Sequence, residues 1–340
     1  MHARPRDLKL AGSWSAFFID LNSMIKSSQK IRIGTRASKL ALIQAAEVKN
    51  LLLQNNLLLK STGLTQDQIE IIPITTSGDK IQDRNLADIG GKGLFIKELE
   101  EFLLTNKIDI AVHSAKDVPP AVHPETQIAA FTKRLDPRDY FISQKFSAIA
   151  ELPQGSVVGT SSARRKAILL KIRPDLQIVN FRGNVETRLD KLAQNKVDAT
   201  ILALCGLERL QKNIDKKNII PCEVMLPAAG QGALAIQISK NKPEIYDLVR
   251  KINDEESEAR VVCERIFLRE LEASCKTPIS AHCKIENGEL NLRTTIFDFD
   301  GKDFFSTQNS APLKEFEALA IKAADETKNK AGKLLAKICK

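Results

Sequence analysis

Residues 156–204 read SVVGTSSARRKAILLKIRPDLQIVNFRGNVETRLDKLAQNKVDATILAL, and this stretch decides the fold. Short β-branched runs at 156–159, 177–181 and 199–204 alternate with two segments of helical spacing at 163–172 and 185–194. That alternation predicts α/β layers around a mostly parallel sheet. Upstream, from Lys30, a similar unit is expected: a strand at 31–35, an amphipathic helix at 38–53 and a strand at 69–75. In the helix, Leu40, Leu42, Ile43, Ala46 and Val48 fall at mixed three- and four-residue spacings. Residues 80–93, rich in glycine and polar side chains, read as a mobile loop, followed by a helix at 95–105 and a strand at 108–113. Pro119, Pro120 and Pro124 prevent a long helix beyond it. Downstream, from about Glu255, the pattern becomes α+β: a helix at 256–271, strands near 281–284 and 290–297, and a final helix at 313–337. Two α/β lobes of this size leave a cleft, with ligands expected outside the carboxyl ends of the strands.

The chain has 340 residues, 43% hydrophobic and 27% charged, which excludes a disordered tail, a collagen or a disulfide miniature. No stretch approaches the roughly 18 to 20 apolar residues of a membrane-spanning helix. With 51 basic against 42 acidic residues the formal charge is +9, which favours anionic partners. Aromatics make up only 5%, with one Trp and two Tyr, so base-stacking platforms for nucleic acid are not expected. Six widely spaced cysteines with no C-x-x-C pair fit a reducing, cytoplasmic setting. The spacing of Cys263, Cys275, His282 and Cys283 matches no common zinc site, so no metal is expected. Residues 1–29 start basic (Arg4, Arg6, Lys9) and continue into a short apolar patch around Trp14, Phe17, Phe18 and Ile19, interrupted by Ser13 and Ser15 and closed by Asp20. They read as a disordered extension rather than a signal peptide, and Met24 is an alternative start.

Gly159-Thr160-Ser161-Ser162-Ala163-Arg164-Arg165 lies where a strand turns into a helix, so free N–H groups, three hydroxyls and two guanidinium forks converge. Arg182-Gly183-Asn184, with Arg188 beyond it, follows the next strand, and Arg36 and Ser38 leave the first strand in the same manner. One such site would read as a helix cap beside solvated arginines, but three together point to an anion, and arginine suits bidentate carboxylate recognition. In His113-Ser114-Ala115-Lys116-Asp117-Val118-Pro119, Asp117 at a strand end, braced by a lysine and a proline turn, could stabilise a developing cation; a turn-capping aspartate is the competing reading. His113 alone reads as a buried core residue. Cys275, in a small-residue loop beside Lys276, has the setting of a reactive thiol, whereas Cys205, after an apolar strand, reads as packing.

Seven motifs in order resemble the porphobilinogen deaminase (hydroxymethylbilane synthase) family: Ile33-Gly34-Thr35-Arg36-Ala37-Ser38, Gly90-Gly91-Lys92-Gly93-Leu94-Phe95, His113-Ser114-Ala115-Lys116-Asp117, Gly159 through Arg165, Arg182-Gly183-Asn184, Leu226-Pro227-Ala228-Ala229-Gly230-Gln231-Gly232, and the Cys275 loop. The resemblance runs from about Lys30 to the C-terminus. It implies an α/β architecture of two type II periplasmic-binding-protein-like lobes plus a C-terminal α+β domain. The expected division is 30–132 with 233–250, then 138–226, then 255–340. It further implies a monomeric transferase of tetrapyrrole biosynthesis that links four porphobilinogen molecules head to tail, releasing ammonia and then hydroxymethylbilane. A dipyrromethane cofactor would be held by a thioether to Cys275. By motif, Asp117 is the essential carboxylate, and Arg36, Arg164, Arg165, Arg182, Arg188 and Arg209 are carboxylate ligands. Ser38, Lys116, Thr160, Ser161 and Ser162 give supporting contacts, while Lys92 and Phe95 belong to an active-site loop.

The residue chemistry agrees with this, because each pyrrole unit brings an acetate and a propionate and needs a distributed arginine surface. Loss of ammonia leaves an azafulvenium cation that a carboxylate at Asp117 would stabilise. One departure is the pair Ala273-Ser274, which stands where the family commonly has two glycines before the cysteine. Either the loop uses ordinary dihedrals or it bears strain. A two-lobed binding protein for a small polycarboxylate would use the same arginines without chemistry at Asp117 or Cys275. A nucleic-acid binder would show steep salt dependence.

Overall fold

The computed structural model describes residues 30–55, 65–76, 96–274 and 276–339. β1 (Ile31–Arg36) leads into α1 (Lys39–Gln54), which starts where the Ser38 hydroxyl accepts the Ala41 N–H at 3.4 Å and satisfies a free first-turn donor. Ala41, Gln44, Ala45, Val48 and Leu52, three or four residues apart, form the buried face of α1. β2 (Ile69–Ile74), α2 (Lys97–Leu104), β3 (Ile110–Ser114) and β4 (Thr126–Phe131) follow. The second lobe contains β5 (Asp139–Ser143), β6 (Val157–Gly159), α3 (Ala163–Ile172), β7 (Gln177–Val179), α4 (Val185–Ala193), β8 (Ala199–Ala203), α5 (Leu204–Arg209) and β9 (Ile219–Ile220). The chain then returns as β10 (Leu234–Ser239) and α6 (Pro243–Arg250).

The two sheets repeat one design. The first has the order β2-β1-β3-β10-β4 and the second β7-β6-β8-β5-β9. In each, the fourth strand runs antiparallel to both neighbours while the other four point the same way. That reversed strand is the one arriving from the other lobe: β5 enters through residues 132–138 and β10 through residues 221–233. The expected mostly parallel layering is therefore present, with an antiparallel strand in each sheet that the sequence reading did not contain. β10 was missed because all six of its residues are buried, which removes the alternation that marks a half-exposed strand.

The third unit comprises α7 (Glu255–Glu270), an antiparallel sheet of β11 (Ile279–Glu286), β12 (Glu289–Phe297) and β13 (Phe304–Pro312), and α8 (Phe316–Ile338). Phe267, Cys263, Cys283, Leu290, Leu292, Ile296, Leu319 and Ala323 form its core. β13 was not expected, because FFSTQNSAP is mostly polar and only Thr307 of it is buried, as befits an edge strand. No helix among the described residues is long and apolar enough to cross a membrane.

Glu264 of α7 joins this unit to both crossing segments. Its wholly buried carboxylate accepts from Arg134 at 2.6 and 3.1 Å, from the Gly230 N–H at 2.7 Å and from the Cys283 N–H at 2.7 Å. Arg134 also donates from Nε to the Gln231 carbonyl at 2.8 Å. A buried charge so fully bonded is costly to disturb on either side.

Candidate active site

The carboxyl ends of β1, β3, β6 and β7 deliver the motif residues to one region. After β3 the chain makes a single 3₁₀ turn over Ala115–Asp117, closed by the Val118 N–H donating to the Ala115 carbonyl at 3.3 Å. Asp117 ends that turn with its side chain exposed and accepts no hydrogen bond among the described residues. What braces it differs from the sequence expectation. Lys116 turns away and donates to Gln231 at 3.1 Å, while Arg265 of α7 donates to the Val118 and Pro119 carbonyls at 2.9 and 2.8 Å. Gly230 lies against the other side of the turn: its φ is +72°, and an added Cβ would stand 3.0 Å from the Ala115 carbonyl carbon. The third unit and a crossing segment thus fix the carboxylate that lobe one presents.

On the second lobe, Ser162 caps α3 by accepting the Arg165 N–H at 3.4 Å, and Thr160 Oγ1 accepts the Ser162 N–H at 3.2 Å. Ser161 accepts the Phe181 N–H at 3.0 Å, tying the ends of β6 and β7 together. Arg164 and Arg165, in the first turn of α3, are both buried, and both reach Asp139 at 2.7 Å, one on each carboxylate oxygen. Arg164 also donates to the Leu226 carbonyl at 2.8 Å and Arg165 to the Ile201 carbonyl at 2.9 Å. Gln231 donates to Asp139 at 2.9 Å and accepts from Lys116, so one chain of polar contacts runs from the Asp117 turn through a crossing segment to the arginine pair. Burial alone would raise the Asp139 pKa, but Arg164 and Arg165 outweigh it and hold the group far below the usual carboxylate range.

Arg188, on α4, donates from Nε to the Gly183 carbonyl at 2.9 Å. Burial, reinforced by Arg165 and Arg182, brings its pKa down to about 10, while Asp117 pulls the other way. Burial also lowers Lys116, with Asp117 opposing and Arg165 adding. Arg188 therefore stands within electrostatic reach of Arg165, Arg182 and Asp117, and Lys116 of Asp117 and Arg165. The Nε atoms of Arg164, Arg165 and Arg182 are buried without a hydrogen-bond partner among the described residues. Arg36 and Ser38 end β1 and open α1 on the facing lobe, and Arg36 acts electrostatically on His113.

Arg209 sits apart. It forms a bidentate pair with Glu47 of α1 at 2.8 and 3.2 Å and bridges the two lobes. His113 is buried, 3.0 Å from Gln237, and burial brings its pKa down to about 4; it is the core residue the sequence reading described. Cys205 is buried too, which pushes its thiol up. Cys275, Lys92 and Phe95 lie outside the described residues.

The loop leading to Cys275 resolves the alternative left open by Ala273-Ser274. The left-handed residue is Glu272, at φ +53°, and neither Ala273 nor Ser274 has a positive φ. The Ala273 N–H donates to the Leu268 carbonyl and the Glu272 N–H to the Arg269 carbonyl, both at 2.9 Å, a Schellman stop for α7. Ser274 and Thr277 then bond each other's backbone, since the Ser274 N–H reaches Thr277 Oγ1 and the Thr277 N–H reaches the Ser274 carbonyl, each at 3.0 Å. The loop therefore needs no glycine at 273 or 274.

Asp139, Gln231, Glu264 and Arg265 carry the support of this site; Gln231 stood in the Leu226–Gly232 motif without a role, and the other three were not picked out from sequence. Glu264 had one visible signal, a carboxylate inside the apolar run Val261-Val262-Cys263-Glu264-Arg265-Ile266-Phe267. Asp139 had none beyond a charge opening an apolar strand.

Residues 31–247 match the family described as porphobilinogen deaminase, dipyromethane cofactor binding domain, and residues 259–329 match porphobilinogen deaminase, C-terminal domain. Curated porphobilinogen deaminases are similar throughout. Those of Nitrobacter winogradskyi and Nitrobacter hamburgensis are each 45% identical over 88% of this chain and 93% of theirs. That of Paracoccus denitrificans is 41% identical over 92% of this chain and 97% of its own. Among solved structures, a nutrient binding protein from Burkholderia cenocepacia bound to methionine is similar at a TM-score of 0.41 and 15% identity, covering 65% of this chain and 91% of that one. With the matched residues spanning both lobes and the third unit, this chain belongs to the porphobilinogen deaminase family.

Proposed function

We propose that the chain condenses four porphobilinogen molecules head to tail, releasing ammonia at each addition and finally hydroxymethylbilane, with Asp117 at the reacting centre. The observation that carries this reading is an exposed carboxylate, unpaired among the described residues, on a turn clamped from two sides and facing a surplus of cations. The family's dipyrromethane cofactor fits that surplus. Three buried guanidinium Nε donors lack an acceptor among the described residues, each at a cost of about 1–3 kcal/mol, and acetate and propionate groups are acceptors of the right charge. Arg36, Arg164, Arg165, Arg182 and Arg188, with Ser38, Lys116, Thr160, Ser161 and Ser162, would hold its carboxylates, and Cys275 its thioether. When bound, that group supplies a tethered pyrrole carbon as nucleophile, so bond formation is effectively intramolecular.

The chain's own residues do the rest. Arginines on the second lobe bind the acetate and propionate of incoming porphobilinogen and set its aminomethyl carbon near Asp117. Asp117 accepts the pyrrole N–H and offsets the positive charge that grows as ammonia leaves, an effect of several kcal/mol in a site partly closed to water. Arg265 and Gly230 keep the turn from yielding as that charge develops. The enzyme is read as a cytoplasmic monomer, a transferase with porphobilinogen as its substrate.

The test is intact mass and turnover. Wild-type protein should exceed its chain mass by two condensed pyrrole units, and Cys275→Ser should not. Asp117→Ala should keep its far-UV circular dichroism, since this side chain holds no hydrogen bond among the described residues, while ammonia release falls on the order of 100-fold or more. Unmodified wild type that stays unmodified after incubation with porphobilinogen, or an active Asp117→Ala, refutes the assignment.

A further inference from the structure

A second polar cavity, of about 470 Å³, opens where the crossing segments meet the third unit. Arg138 and Cys222 form one wall, from residues 132–138 and 221–233, while Arg260 of α7 and Lys284 and His282 of β11 form the other. None of these residues belongs to the cleft around Asp117.

The charges in this cavity do not balance. Arg138 is matched by Asp136 at 2.6 Å, and Glu223, largely exposed, by Arg293 at 3.5 Å. Arg260 and Lys284 have no ion-pair partner among the described residues. Arg260 only donates to the Glu256 carbonyl at 3.1 Å and to Ser257 Oγ at 3.3 Å. The His282 ring is buried, with its Nδ1 facing the Glu264 carboxylate at 3.5 Å. Two cations on separate elements, without an ion-pair partner among the described residues, line a space far larger than the roughly 30 Å³ of a water molecule and within the size range of small-ligand pockets.

We propose that this cavity is a second anion-binding site, taking a small polyanion whose separated anionic groups, carboxylates or phosphates, reach Arg260 and Lys284 together. Such a ligand joins the third unit to both segments through which the lobes are connected. Movement of one lobe against the other must flex those segments, so occupancy slows turnover without occupying the substrate cleft.

Holoenzyme is titrated with citrate in one arm and inorganic pyrophosphate in the other, at constant ionic strength, and the same anions are added to initial-rate assays. The expected result is saturable binding of at least one probe and a fall in kcat with KM for porphobilinogen unchanged. Both effects should weaken at least tenfold in Arg260→Gln/Lys284→Gln, whose activity without added anion matches wild type. Lys284→Gln alone, on a partly exposed side chain, provides the same comparison if the double variant folds poorly. Binding by one probe only identifies the source as carboxylate or phosphate and supports the site. Inhibition that competes with porphobilinogen and persists in the variants would place the anion in the catalytic cleft and overturn the proposal, as would absence of saturable binding by either probe. Neither failure touches the catalytic reading, which stands on cofactor mass and Asp117→Ala.

Discussion

Asp139→Asn removes the one carboxylate facing two buried guanidinium groups. In the wild-type protein its oxygens accept from Arg164 and Arg165 at 2.7 Å each and from Gln231 at 2.9 Å. Asn has nearly the same volume, so packing is kept and the loss is electrostatic: one oxygen remains, and an NH₂ now faces a guanidinium. Removing one partner of a buried pair costs about 3–5 kcal/mol, and here two cations lose their counter-charge. Against a total of about 5–15 kcal/mol, the variant should fold but be marginal. Urea unfolding followed by circular dichroism at pH 7 measures the difference. The pH dependence gives a second reading. Because the folded-state pKa of Asp139 is depressed, its contribution is complete above the ordinary carboxylate value of about 4 and is lost as pH falls below it, so the gap to the variant closes in acid. Asp139→Asn combined with Arg164→Met should cost less than the sum of the single changes. A loss below about 1 kcal/mol, against the 3–5 kcal/mol expected for a broken buried pair, would show that the arginines do not depend on Asp139 and would refute the argument.

Three further outcomes are expected. Burial pushes the Glu264 carboxyl up, but Arg134 and His282 bring it down to about 2, so Glu264→Gln should destabilise by about 3–5 kcal/mol at pH 7, with the gap narrowing as pH falls from the ordinary glutamate value of about 4.5 towards 2; a pH-independent gap would count against it. Gly230→Ala should cost about 1–3 kcal/mol and lower kcat more than it changes KM, because the new Cβ presses on the Ala115–Asp117 turn; unchanged steady-state kinetics would separate Gly230 from the carboxylate. Glu47→Gln should lower the melting temperature by the equivalent of about 1 kcal/mol at low ionic strength and less in 1 M salt, since Glu47 is partly exposed, and a salt-independent shift would argue against an ionic bridge between the lobes.

Much of the architecture was legible locally. α3 begins at Ala163 and ends at Ile172, as its spacing and the Ser162 cap indicate, and α1, α2 and α4 start within a residue or two of their expected positions, whereas α5 and α6 were not expected. β4, β5 and β10 were not legible, because their burial depends on which strand arrives beside them from across the chain. At the site, Asp117, Ser38 and Ser162 stand at turn and helix starts, as their sequence contexts require. The bracing of Asp117 was misread: adjacency in sequence pointed to Lys116, yet the contacts come from Arg265, which is 147 residues from the carbonyl of Val118.

Where strands give way to helices, and which polar residues stand at those junctions, can be read locally, because periodicity, capping and turn chemistry act over a few residues. Only the tertiary structure decided which cations are engaged and which remain open to a ligand. Arg164 and Arg165 meet Asp139 from 25 and 26 positions away, Arg134 meets Glu264 across 130, and Arg209 meets Glu47 across 162. An arginine's charge is fixed by its chemistry, but its partner is fixed by the path of the chain, and that path crosses between the lobes twice.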